Sequence, residues 1–240
     1  MVVYGSEMDQ KRGRSVLYET TRVALRTMTD KDQQEFIELA KASAELHEPW
    51  VWVPTTSQEY VRYLRRFDES EAESTLICIR GSGAIAGFVT IKNIIRGPYQ
   101  RATVGYGAFA PTQGLGFMSE GFGLVFRFAF GDLGLHRLEA DIQPGNTASR
   151  RFAERVGFRY EGFSPGFLRI DGSWKDYERW AVTSDMIEHD RRALPADVSG
   201  NHQAATTPYP NTVSYLATAT AGHRASVRRV PDLCQRAVFG

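Results

Sequence analysis

Apolar positions recur with two different periods along the middle of the chain. Phe36, Leu39 and Ala40, with the small Ser43, fall on one helical stripe. Thr29 and Asp32, just before it, have the three-residue spacing of a capping box. Tyr60, Leu64 and Phe67 repeat at i, i+4 and i+7 and predict a second helix from Ser57. Then the period changes. Thr75–Arg80 and Ala84–Ile95 are β-rich runs joined by Gly81-Ser82-Gly83, a hairpin signal. Arg101–Ala110 predicts a third strand, stopped by Pro111. A helix is expected from about Met118 to Phe130, a strand over Arg137–Ile142, and a short helix over Thr147–Val156 that Gly157 ends. Phe167–Ile170 and Trp174–Thr183 close the pattern as a hairpin through Asp171-Gly172. Helices, then antiparallel strands, then alternating strands and helices predict an α+β fold. Its expected centre is one mixed, mostly antiparallel sheet flanked by helices.

The ends read differently. Residues 1–18 are polar and aperiodic and suggest a flexible leader. From residue 188 to 240 the chain turns rich in Ala, Thr, Pro, Ser and Asn, with few large aliphatics. Such a low-complexity segment buries too little apolar surface to offset its ordering entropy, so a disordered tail is expected there. It carries Arg224, Arg228, Arg229 and Arg236. The folded domain is expected over 19–187. Across 240 residues, 29 Lys and Arg face 28 Asp and Glu, a formal net charge of +1. No global field draws the chain to DNA or to an anionic membrane. The apolar run Ala84–Ile91 is far shorter than the roughly 20 residues of a membrane span, and the first residues lack the apolar core of a signal peptide. Two cysteines, Cys78 and Cys234, make neither a disulfide framework nor a Cys-rich zinc site. His47 and His136 have no metal-ligand spacing. A cytoplasmic protein without a metal is expected.

Two stretches carry candidate chemistry. In Thr103–Glu120 a β-rich strand runs into Gln113-Gly114-Leu115-Gly116 and then a helix. Glycines let backbone N–H groups converge, and the new helix adds its own free N–H groups and positive dipole end. That arrangement suits a pyrophosphate, and equally a tight strand-to-helix turn with no ligand. In the second stretch, Asn146 precedes a helix as an N-cap would, and Ser149 falls in its first turn.

Together these stretches resemble the GNAT superfamily of acyl-CoA-dependent N-acetyltransferases. The strand, Gln-Gly-Leu-Gly turn and helix from Met118 look like its acyl-CoA pyrophosphate motif. Asn146-x-x-Ser149 followed by Val156-Gly157-Phe158 looks like its next motif. Leu46-His-Glu-Pro-Trp50 and the closing Phe167–Tyr177 segment resemble the RimJ/RimL branch, the protein-alanine N-acetyltransferases. The resemblance spans about residues 20–186. It implies the GNAT acyl-CoA N-acyltransferase fold and acetyl-CoA as co-substrate. It implies cofactor contacts from Phe109, Ala110, Gln113, Gly114, Leu115, Gly116, Phe117, Met118, Asn146, Ser149 and Arg151. Where many members carry a tyrosine that protonates the leaving thiolate, this chain has Ala153. The serine used by the RimJ/RimL branch is Ser149. The glutamate base of some members falls on Leu168, and the polar residue usual before the turn on Pro111. Glu48 and Glu120 are the carboxylates nearest the motifs, and either is a candidate for drawing off the amine's proton through water, Glu120 being taken as the catalytic one. Glu48 and Trp50 are the candidate acceptor contacts, with Trp52, Tyr60 and Tyr63 near them.

The expected acceptor follows from amine chemistry. An α-amine titrates near about 8 and a lysine near about 10.4, so at neutral pH about a tenth of the former is free base but well under a thousandth of the latter. A site without a carried-over base therefore suits the N-terminus of a protein or peptide, a ribosomal protein being one such acceptor. A small amine (an antibiotic or metabolite), or a non-catalytic acyl-CoA-binding module, are the alternatives.

Overall fold

The computed structural model describes residues 16–68 and 71–189. Eight strands form a single sheet: β1 Val16–Glu19, β2 Val23–Thr27, β3 Glu73–Ile79, β4 Ile85–Ile95, β5 Arg101–Ala108, β6 Arg137–Ile142, β7 Arg159–Ile170 and β8 Ser173–Thr183. Their order is β1-β2-β3-β4-β5-β6-β8-β7. All neighbours are antiparallel except β5 and β6, which run parallel. Six helices accompany it: α1 Gln33–Ala42, α2 Ala44–His47, α3 Ser57–Arg65, α4 Phe117–Arg127, α5 Thr147–Arg155 and α6 Ser184–His189. No described helix is long and apolar enough to cross a membrane.

Strand alternation splits the buried residues between the two faces of the sheet. On β3, Leu76 and Cys78 join Phe36, Ile37, Ala40, Tyr60 and Tyr63 of α1 and α3 in one core. Ile77 points the other way, into the larger core with Phe122, Leu124, Val125 and Phe126 of α4. α1 and α3 therefore cover one face, and α4 the other. Gly121 sets the approach of α4, because a Cβ there would stand 2.5–2.8 Å from three carbons of Ile77. The spacing Thr56–Glu59 forms a capping box at the start of α3, with Thr56 Oγ1 accepting from Glu59 N–H at 3.3 Å and Glu59 Oε2 from Thr56 N–H at 3.1 Å.

Two expectations for the strands need correcting, and one further strand, β2, is not among those expected. β1 begins at Val16, so residues 16–18 belong to the sheet and not to a leader; residues 1–15 lie outside the described residues. β2 is buried at four consecutive positions and shows no period-2 alternation to read. β7 starts at Arg159, eight residues before the expected strand. Its first half, Arg159–Gly166, contains Pro165, Gly162 and Gly166, residues that signal a loop. They are tolerated because β7 is the edge strand, where no neighbour needs the proline's missing N–H, and the register with β8 shifts twice there. Of the tail expected from residue 188, residues 188 and 189 belong to α6, and the remainder lies outside the described residues.

Candidate active site

The parallel pair β5–β6 comes apart. It pairs only at Arg101–Arg137, Ala102–Leu138 and Thr103–Glu139, while β5 continues to Ala108 and β6 to Ile142. The Phe109 N–H donates to Ala86 O at 3.1 Å across β4. Antiparallel alternation then turns the backbone groups of Gly105 and Gly107 toward β4, and those of Tyr106 and Ala108 toward the opening. The Ala108 carbonyl is taken by His47, whose Nε2 lies 2.8 Å away. A carbonyl only accepts, so Nε2 carries the hydrogen. Burial holds the His47 ring below its usual pKa, and it is neutral. The opening is a cleft of about 430 Å³.

At one end lies the glycine turn. Gly114 and Gly116 have φ of +77° and +82°, a conformation that glycine adopts without strain. The N–H groups of Gly114, Gly116, Phe117 and Met118 have no acceptor among the described residues, and they gather at the start of α4. Gln113, Gly114, Gly116 and Met118 line the cleft. Arg151 and Arg155, on α5, line it too. This is the donor set an anionic pyrophosphate needs.

Ser149 stands midway along the cleft. Asn146 caps α5, its Oδ1 accepting from Ser149 N–H at 3.0 Å. Ser149 Oγ lies 2.8 Å from the Tyr106 hydroxyl. Burial pushes Tyr106 up to about 12, so its hydroxyl stays protonated at neutral pH. The ring is fixed against Phe122 and Phe152, at 5.2 and 5.0 Å between centroids. Sequence reasoning missed this tyrosine; its only signal was a polar ring in the strand that leads to the glycine turn.

The opposite end is walled by His47, Trp50, Lys92, Thr103, Asp141, Leu168 and Tyr177. Trp50 packs so closely on the β6–α5 loop that a Cβ at Gly145 would stand 2.8 Å from it. Asp141 is the one carboxylate lining the cleft among the described residues. Its Oδ1 meets Arg179 Nε at 2.6 Å, as an ion pair outside hydrogen-bond angles. Burial raises the Asp141 pKa even so, against the pull of Arg179. Beyond Thr103, Asp141 and Leu168, which border both, the cleft continues into an open groove of about 930 Å³.

Several expected site residues fall elsewhere. Glu120 is on the far side of α4: Thr20 Oγ1 donates to its Oε1 at 2.5 Å and Arg22 pairs with its Oε2 at 3.3 Å. It braces the glycine turn, since Arg22 also donates to Leu115 O at 2.9 Å; it does not reach the cleft. Glu48 is exposed and outside the cleft wall, though Trp50 two residues on is part of it. Phe109 is fully buried against Phe36, Phe88 and His47, and its N–H is spent on Ala86. Ala110 N–H donates to Ser43 Oγ at 2.9 Å. Neither amide is free for a ligand, and the free β5 N–H groups are instead those of Tyr106 and Ala108. The Leu115 side chain is exposed and points away, and Phe117 packs under Arg22. Tyr60 and Tyr63 are core residues, not cleft residues.

The chain is similar to known proteins in sequence and in fold. The acetyltransferase (GNAT) domain matches residues 22–159. A Bacillus subtilis protein named probable N-acetyltransferase YjcK is 35% identical over 120 residues, 50% of this chain and 66% of that protein. The Escherichia coli [ribosomal protein uS5]-alanine N-acetyltransferase is 26% identical over 184 residues, covering 69% of this chain and 89% of its own length. The solved structure of Mycobacterium smegmatis RimJ in complex with CoA-disulfide superposes with a TM-score of 0.62 at 25% identity, covering 68% of this chain and 82% of that one. With the splayed strands, the glycine turn and the Asn-capped helix already in place, these matches make the chain a member of the GNAT acetyltransferase family, an acetyl-CoA-dependent N-acetyltransferase.

Proposed function

We propose that this enzyme acetylates the free α-amine at the N-terminus of a protein or peptide, with both substrates bound together. The observation that carries this reading is the state of Asp141. The cleft's one carboxylate among the described residues is already committed to Arg179. It is no base for a lysine-type amine, and the wall lacks the acidic character that would attract a polyamine or aminoglycoside. An α-amine needs little help, because about a tenth of it is already free base at neutral pH. The open groove adjoining the cleft gives an extended acceptor room to leave the site. The relative named as a ribosomal-protein-alanine N-acetyltransferase supports a protein acceptor, and a ribosomal protein is the natural first candidate.

Acetyl-CoA, when bound, supplies the acetyl thioester. The free N–H groups of Gly114, Gly116, Phe117 and Met118, with Arg151 and Arg155, fit its phosphates. Asn146 and Ser149 line its path toward the splay. The Tyr106 and Ala108 N–H groups face the opening as fixed donors for a carbonyl oxygen that gains negative charge. Tyr106 holds Ser149 Oγ, which turns its own proton to the cleft and donates it to a departing thiolate.

The test is thiol release from acetyl-CoA with short peptides that differ only at the first residue, beside N-terminally blocked peptides and small amines. Release that requires a free α-amine supports the reading. Release with small amines alone, or CoA binding with no turnover on any peptide or on a folded ribosomal protein, overturns it. The glycine turn gives a second check. Gly116→Ala forces a Cβ into a left-handed conformation at a strain of about 1–2 kcal/mol. CoA affinity is expected to fall about five- to thirtyfold, with turnover at saturating acetyl-CoA changing far less; isothermal titration measures the first.

A further inference from the structure

Lys92 is a cation in the cleft wall that nothing on the described chain neutralises. Phe88, Thr90 and Lys92 alternate onto the face that α1 and α3 cover. Phe88 is buried in the core beneath those helices. Lys92 lies past the edge of that cover, opposite Thr103 on β5, and its side chain lines the cleft where β5 and β6 part. Its ammonium forms no hydrogen bond or ion pair with any described residue. Behind it stands Arg66, at the C-terminal end of α3. The Arg66 guanidinium lies over the rings of Trp52 and Tyr63, at 5.7 and 6.0 Å, and it too has no carboxylate among the described residues.

The nearby acids are spoken for. Asp141 is held by Arg179, and Glu139 by Arg101, Arg137 and Arg179. Farther along the groove, Glu71 and Arg96 contribute one charge of each sign. Burial, with Arg66 close by, pulls the Lys92 ammonium down to about 8, which is what a charged group without an anion undergoes. A phosphate held at the glycine turn is not the missing partner, because α4, at whose start the turn lies, packs on the other face of the sheet.

We propose that Lys92, backed by Arg66, is a specificity residue that reads an anion on the acceptor: a carboxylate carried within a residue or two of the reactive amine, as in an N-terminus followed by Asp or Glu. This rests on the α-amine reading above. A partly buried ammonium is unfavourable alone and becomes favourable when a carboxylate meets it. An acidic acceptor supplies that partner only when bound, so the gain appears as selectivity. The nearby Trp50 and Trp52 give the peptide backbone an apolar surface.

The experiment uses the full chain and three peptides with a common first residue, followed by two Asp, two Asn or two Lys. The kcat/KM of each is measured by thiol release for the wild type, Lys92→Met and Lys92→Glu, with CoA affinity as the check that each variant is folded. In the wild type the Asp peptide is expected to exceed the Asn peptide about tenfold, the size of one charge-assisted hydrogen bond. In Lys92→Met the ratio falls to within about twofold, and in Lys92→Glu the Lys peptide overtakes the Asp peptide. Equal acetylation of all three by the wild type overturns this proposal and leaves the α-amine reading standing. An Asp preference that survives in Lys92→Met also overturns it, and an equal loss on every peptide there would make Lys92 a proton acceptor instead. Silence on every peptide, with small amines turned over, overturns both readings.

Discussion

Replacing Ser149 by alanine is expected to lower turnover by about ten- to a hundredfold while CoA affinity changes little. The size follows from one hydrogen bond to a charged leaving group, about 1.5–3 kcal/mol. Thiolate is already a good leaving group, since a thiol ionises near about 8.5, so the serine helps the step without being indispensable. The backbone at 149 is insulated from the change, because Asn146 Oδ1 caps its N–H and not its hydroxyl. Tyr106→Phe should show the same defect at smaller size, since it removes only the group 2.8 Å from Ser149 Oγ. Its ring stays seated between Phe122 and Phe152. The double variant should be no worse than Ser149→Ala alone, because the tyrosine acts through the serine and the two losses do not add. Single-turnover rates with the best peptide, beside CoA affinity by titration, make the check. Full turnover in Ser149→Ala would remove the serine from the step, and additive losses would give Tyr106 a separate role.

Much of this site can be read from local pattern, and the rest cannot for reasons of geometry. Asn146, Ser149 and the Gly114–Met118 turn lie in short contiguous segments whose chemistry is set by the segment itself: a cap, a first helical turn, a glycine pair with positive φ. Tyr106, Lys92 and Asp141 come from three strands that meet only in the folded sheet, at separations no local period records. Glu120 shows the converse. Its position on α4 beside the glycine turn made it a candidate, yet a helix residue's face decides its role, and at 120 that face looks to Thr20 and Arg22. Phe109 and Ala110 illustrate a third limit. Their amides lie in the right segment, but whether an N–H is free depends on partners 23 residues earlier at Ala86 and in α1's C-terminal cap at Ser43. The strand segments that the pattern did not reveal, β2 and the first half of β7, are among the most buried and the most exposed of the sheet. Neither carries the half-buried alternation from which strands are read.

Asp32→Ala is expected to destabilise the fold by about 3–5 kcal/mol, the cost of leaving a buried charge without its partner. Asp32 is fully buried, and its Oδ2 accepts from Arg26 Nη1 at 2.9 Å, Thr29 N–H at 2.8 Å and Thr29 Oγ1 at 3.0 Å. Arg26 is itself buried on β2, beside Cys78, whose thiol burial pushes up to about 11. Without Asp32, Arg26 keeps its charge and loses that carboxylate, while its backbone stays held between β1 and β3 and its side chain stays buried. Urea unfolding should show the midpoint falling with the slope unchanged. The double variant Arg26→Met/Asp32→Leu removes both charges together and should lie within about 2 kcal/mol of the wild type. A loss under about 1 kcal/mol in Asp32→Ala would mean that the pair is dispensable as built. The damage should also have a direction. Thr29 accepts the Tyr60 hydroxyl at 2.7 Å, so the Asp32 cluster ties α3 to the start of α1. These helices support His47, Trp50 and Arg66, whereas the glycine turn rests on α4 across the sheet. Below the unfolding range, then, Asp32→Ala should raise KM for the peptide more than it weakens CoA, which separates loosening of the acceptor wall from a general loss of folded protein.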